Sequence, residues 1–233
     1  MTPAPLSKTK IAAVLLGFPL VSTLISLLLL DRQSLAWTGL EFFTAFWALI
    51  TLWYAAQIAV LGKVLSSSGW TWRDIGYGFG RRGTLWFVGG YVLFAAGLLG
   101  FIEFAMAGAE LDPDKVRALS DLSNLTPKTW PQRLIFVAMG LVAGLCEELV
   151  YRGFAINALR SQGMNRWIAI VVASFPFVFQ HGLKSIAQFP WFFAWGIVFG
   201  ILFVVLRRLT ANIVIHWLVI LSATLAVLQV LQR

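Results

Sequence analysis

The chain has 233 residues, with 18 Lys and Arg against 10 Asp and Glu for a formal charge of +8, and is 59% apolar but only 12% charged. Soluble proteins carry about 25% charged residues, so the composition excludes a soluble globule, a disordered chain and a fibrous repeat. The single cysteine, Cys146, excludes an internal disulfide, and basic residues that stand singly or in pairs, never in a tract, exclude nucleic acid as a partner.

Seven apolar stretches follow one another, at Ile11–Leu30, Phe42–Gly62, Thr84–Ile102, Leu134 to about Leu159, Trp167–Leu183, Ser185–Leu206 and Leu209–Gln232. Crossing a hydrocarbon core takes about 20 residues of helix. Backbone groups in lipid must satisfy one another. The pattern therefore predicts an all-α, polytopic transmembrane helix bundle of seven helices, with an eighth if a re-entrant element lies near Lys184. A single membrane domain spans 1–233. The first stretch reads as a retained helix because its run is long for a signal peptide and Asp31-Arg32 follows it.

With the N-terminus inside, the inner set is Lys8, Lys10, Lys63, Arg73, Arg81, Arg82, Arg160, Arg166, Arg207 and Arg208, and it outnumbers the outer set. The expectation is a multi-pass protein of a bacterial inner membrane with a cytoplasmic N-terminus. The segment Ser66–Gly83 holds Gly76, Gly78, Gly80 and Gly83 but lacks the Lys-Ser/Thr ending of a phosphate loop, so it reads as a connector. In the outer loop, Asp112-Pro113 starts a short surface helix with Val116, Leu119 and Leu122 on one face. Glu103 falls near the outer interface.

The fourth stretch carries Cys146-Glu147-Glu148-Leu-Val-Tyr-Arg152. A charge at mid-bilayer costs about 2.5–3.5 kcal/mol on insertion scales. Glu148 and Arg152 are four residues apart, in the favourable order for pairing. Glu147 points about 100° away, which leaves it free for a different task. Cys146 lacks a cationic base in sequence and reads as a packing residue. The two histidines, His181 in Phe177-Val-Phe-Gln-His181 and His216 in Asn212-Ile-Val-Ile-His216, both fall in apolar stretches. At 1.5 Å per residue, Glu148 lies roughly 18 Å above Arg160, His181 roughly 22 Å above Arg166 and His216 roughly 12 Å above Arg208. These levels permit one shared polar site, and Pro176 loosens the backbone beside His181.

Glu147-Glu148-x-x-x-Arg152, then Phe177-x-x-x-His181, then a histidine in a late helix, resembles the CPBP family of intramembrane proteases, which includes the type II CaaX prenyl endopeptidases and the abortive-infection-like proteins. The resemblance covers roughly residues 130–220, the catalytic core it implies. It implies an endopeptidase acting on membrane-embedded, membrane-associated or lipidated peptides within the bilayer. Carried over by position, Glu147 and His181 activate water, Glu148 and Arg152 hold the site together, and His216 helps stabilise the oxyanion. An Asn or Asp often follows the last histidine by four residues in the family; here that residue is Ile220, with Asn212 one turn to the other side. The resemblance implies a glutamate-dependent enzyme without a cofactor; a zinc site built from Glu and His is the alternative. Two other functions fit the residues: a catalytically inactive scaffold or regulator, which Ile220 favours, and a proton-coupled transporter using buried Glu and His.

Overall fold

The computed structural model describes residues 5–78, 127 and 129–231. The span expected at Thr84–Ile102, Glu103 and the surface helix from Asp112 lie outside the described residues. Helix α1, Lys8–Ser26, starts where the Ser7 side chain accepts from the Lys10 N–H, and two 3₁₀ turns, Leu27–Leu30 and Arg32–Thr38, carry the chain on to α2, Phe42–Ser66. Helix α3, Trp130–Glu147, opens with a reciprocal Thr129–Gln132 cap and Pro131 in its first turn. It continues through a π-helical segment, Glu148–Phe154, into α4, Ala155–Ser161. Then come α5, Arg166–Phe179, the four-residue α6, Lys184–Ala187, α7, Phe189–Leu206, and α8, Leu209–Leu231. No strand occurs among the described residues.

Among the described residues, Lys8–Leu30, Phe42–Ser66, Trp130–Ser161 and Phe189–Leu206 are long and apolar enough to cross a membrane, and Arg166–Phe179 and Leu209–Ile220 are shorter apolar helices. The chain is an integral membrane protein. The fifth stretch departs from expectation: its helix stops at Phe179, and the next long helix starts at Phe189 instead of Ser185. Gly182 is the reason, because it takes φ +72°, a left-handed conformation that a side chain resists. The resulting turn docks on the end of α1, where Ser26 Oγ accepts from the Leu183 N–H at 3.0 Å.

Helix α3 is the centre of the bundle, with α2 on one side and α8 on another, while α5 packs on α7. Two pairs of glycines at i,i+4 let these helices approach. A Cβ on Gly140 would lie 2.8 Å from Ile220 Cγ2, and one on Gly144 would lie 2.8 Å from Trp217 Cδ1. On α7, Gly196 receives Ser174 of α5 and Gly200 receives Ile170. Lipid offers no hydrophobic drive for helices to associate, so such small-residue seams, with their close van der Waals contact, hold membrane bundles together. Trp217 cannot easily yield, since its Nε1–H donates to Leu141 O at 2.8 Å. Gly144→Val is therefore expected to destabilise the protein by about 1–3 kcal/mol, read as a lowered thermal midpoint in detergent; an unchanged midpoint would show that the seam is loose.

Candidate active site

Glu147 ends α3 and Glu148 opens the π segment. All seven residues of that segment, Glu148 to Phe154, are buried, so at this level the rod is surrounded by protein on every side. Gly153 permits this closeness, because a Cβ there would lie 2.9 Å from the Ile75 carbonyl and from Leu209 Cδ2. Short π segments recur at functional sites. No sequence pattern marks this one, and the fourth span reads as regular α-helix until the structure shows the π segment at Glu148–Phe154.

The two carboxylates have different surroundings. Glu148 is fully buried. Its Oε1 lies 3.3 Å from the Arg152 guanidinium and accepts from His216 Nδ1 at 2.9 Å; its Oε2 accepts from Asn212 Nδ2 at 3.1 Å. Asn212 Nδ2 also donates to Phe199 O at 2.8 Å, which ties α8 to α7. The Arg152 guanidinium lies 4.0 Å from the Phe177 ring centre and 5.2 Å from that of Phe199, a cation–π arrangement that helps a buried charge. Glu148 thus links α8 to the π segment and stays occupied on both oxygens.

Glu147 faces a cavity instead. Its Oε1 accepts from the Tyr54 hydroxyl at 2.6 Å and lies 3.7 Å from His181 Nε2, and its Oε2 lies 3.5 Å from His216 Nε2. The histidine separations are long for direct hydrogen bonds and suit a group shared between them. Both imidazoles are aligned by their other nitrogen: His181 Nδ1 sits 3.0 Å from Phe177 O, one turn back, and His216 Nδ1 meets Glu148. Stacking fixes the ring planes, His181 on Phe192 at 3.9 Å and His216 on Phe199 at 4.9 Å. His181 itself lies in the turn after α5, not in the helix expected to carry it.

The cavity has a volume of about 250 Å³ and lies between α1, α2, α3, α8 and that turn. Glu147, His181, His216, Tyr54 and Gln180 supply polar groups in a wall otherwise built from residues such as Phe46, Trp47, Phe136 and Ile220. Apolar walls with a few converging polar groups are the usual form of a ligand site. Ile220, where the resemblance expects an Asn or Asp, is part of this wall. Asn212 is not, because its amide protons go to Glu148 and Phe199.

All five residues singled out from the sequence, Glu147, Glu148, Arg152, His181 and His216, meet here. Three neighbours were missed. Tyr54 holds Glu147, Gln57 of the same helix meets Cys146 Sγ at 3.5 Å, and Gln180 receives the Tyr151 hydroxyl at 2.7 Å. The available signal was Gln57 inside an apolar span, since amides are costly in lipid. Cys146 is buried. Among the described residues no three His, Cys, Asp or Glu side chains are grouped to hold a metal ion.

No curated protein and no solved structure is significantly similar to the chain. Residues 129–221, about two-fifths of the chain, match the family model described as type II CAAX prenyl endopeptidase Rce1-like. That segment contains the glycine-lined α3, the π segment, both histidines and every carboxylate of the site. Over the stretch that builds the site, the chain is thus similar to the Rce1-like type II CAAX prenyl endopeptidases.

Proposed function

We propose that the protein is an intramembrane endopeptidase that hydrolyses peptide bonds of membrane-associated or lipidated peptides with a water activated by Glu147 and His181. The observation that carries this reading is the approach of both imidazole Nε2 atoms to the Glu147 carboxylate, at 3.5 and 3.7 Å, inside an apolar cavity. A water between Glu147 Oε1 and His181 Nε2 is held by two acceptors, with its oxygen lone pair left to attack. Glu147 takes a proton as the water oxygen bonds to the carbonyl carbon, and the carbonyl π electrons move onto oxygen. When the tetrahedral intermediate collapses, the C–N bond breaks and that proton passes to the departing amine. Tyr54 keeps Glu147 in one rotamer; Glu148 and Arg152 fix His216, whose Nε2 donates to the oxyanion in its doubly protonated form. No metal is needed in this scheme.

Cleavage of a farnesylated CAAX peptide and of a library of membrane-associated peptides, by purified protein in liposomes, tests the proposal. Wild type is expected to cut, His181→Ala to lose activity by about 10²-fold or more, and a zinc chelator to change nothing. Chelator-sensitive cleavage would replace the metal-free scheme with the zinc alternative. One observation favours a second reading, a non-catalytic scaffold or regulator in the membrane: apolar Ile220 in the cavity wall. It expects no peptide to be cut by folded wild type. The bacterial inner membrane and the cytoplasmic N-terminus belong to the proposal too, and cysteine-accessibility labelling at Lys10→Cys reads the orientation directly.

A further inference from the structure

We infer that the side-chain amide of Gln180 is a neutral hydrogen-bond donor to the carbonyl oxygen under attack, an inference that rests on the peptidase reading. Gln180 borders the same cavity as Glu147, His181 and His216 and is only 3% exposed. Its backbone is fixed at the end of α5, where its N–H donates to Pro176 O at 3.0 Å. Its Oε1 accepts from the Tyr151 hydroxyl, which sets the amide plane. Its Nε2 is buried without a partner among the described residues. A buried, unsatisfied N–H is costly and calls for an explanation.

The neighbouring donors are committed elsewhere. Asn212 Nδ2 serves Glu148 and Phe199, Tyr54 serves Glu147, and Trp53 Nε1 serves Ser22 at 2.8 Å. Trp47 Nε1 is the other buried N–H on this cavity without a partner among the described residues. Two unpartnered donors on residues that border one apolar cavity suit a ligand that brings acceptors, as the successive carbonyls of an extended peptide do. The amide of Gln180, next in sequence to His181, supplies a donor that needs no protonation, where position 220 supplies an isoleucine.

The test compares wild type with Gln180→Met and with the Tyr151→Phe/Gln180→Met double variant, which removes both ends of the hydrogen bond and spares the fold an orphaned hydroxyl. Cleavage of a farnesylated CAAX peptide is expected to fall about 10²-fold or more in kcat, with KM within about threefold. Binding of the matching peptide aldehyde, relative to the peptide alcohol, is measured in parallel; wild type is expected to prefer the aldehyde and the variants to lose that preference. A wild type that prefers the aldehyde yet cuts nothing would fault the peptidase reading and leave the donor in place. Unchanged kcat, or an aldehyde preference that survives in the variants or is absent from wild type, overturns the assignment.

A different cavity supports a second, independent inference. Arg73 from the loop after α2, Arg160 from α4, Arg166 from the start of α5 and Arg207 between α7 and α8 border one space of about 320 Å³. Asp74 is the acid in that wall, and its carboxylate accepts from both the N–H and the hydroxyl of Thr71. None of the four arginines has an ion pair among the described residues. Such convergence exceeds what sidedness of charge requires. Guanidinium groups match phosphate oxygens in forked pairs, and Phe203 and Val204 line the same space. Trp167, Ile168 and Val205 stand exposed next to these residues in sequence, an apolar approach that a lipid tail can use and a free anion cannot. The geometry points to a seat for the phosphate-bearing headgroup of an anionic phospholipid, of the kind basic pockets at helix ends provide.

Protein in detergent, titrated with phosphatidylglycerol or phosphatidylcholine and read by native mass spectrometry, is expected to retain phosphatidylglycerol preferentially. Each arginine removed should weaken retention about fivefold, so Arg160→Gln/Arg207→Gln should lose most of the preference. Inorganic phosphate at millimolar concentration should neither bind nor compete. Equal retention of the two lipids, an unaffected double variant, or tight phosphate binding without lipid preference overturns the lipid assignment.

Discussion

Glu147→Gln is expected to abolish peptide cleavage, with a loss of about 10³-fold or more, while the protein remains folded. A general base contributes 10²–10⁴-fold to rate, and the amide removes the base while keeping the outline of the side chain. Tyr54, which donates to Glu147 Oε1 at 2.6 Å, can still donate to the Gln carbonyl, so no buried hydroxyl is stranded. Thermal midpoint and helix content in detergent should therefore match wild type closely, and the measurement that decides is turnover of a farnesylated CAAX peptide by both proteins side by side. Full turnover in the variant would remove Glu147 from the mechanism.

Arg152 is expected to give the largest effect on stability. It lies 3.3 Å from Glu148, both are buried, and neither can reach water. Removing one partner of such a pair leaves an uncompensated charge and costs about 3–5 kcal/mol. Arg152→Met should thus express poorly and unfold early, although its volume is close to that of the stem it replaces. Glu148→Gln/Arg152→Met should be closer to wild type than the single substitutions sum to, because neither charge of the pair is left buried without its partner. Its His216 would still lose the carboxylate at Nδ1, so activity should not return with stability. Additive destabilisation would show that the pair does not interact as the 3.3 Å contact implies.

Much of the site was legible because membrane physics makes ionisable residues conspicuous. Glu147, Glu148, Arg152, His181 and His216 stand out from apolar stretches, and a helix rises by a fixed amount per residue, so their levels were open to arithmetic. The pairing of Glu148 with Arg152 followed from helix spacing and is what the structure holds. Asn212 stands one turn from His216 on the side opposite Ile220, and the structure gives it Glu148 as partner. A position four residues from a histidine fixes a face of the helix but not which neighbour stands opposite.

By itself, then, the sequence determined an integral membrane protein built of helices, and the identities of the charged groups it must bury. Those follow from the length of apolar runs against a bilayer of set thickness and from the cost of charge in lipid, both local properties. Tertiary structure decided the rest: the π segment at Glu148–Phe154, the turn that takes His181 out of its helix, and the contacts that Tyr54, Asn212 and Gln180 make. Hydrogen bonds depend on tenths of an ångström between helices far apart in the chain. Here that spacing is set where α3 packs on α8, and α7 on α5, through glycine, and no local pattern encodes it.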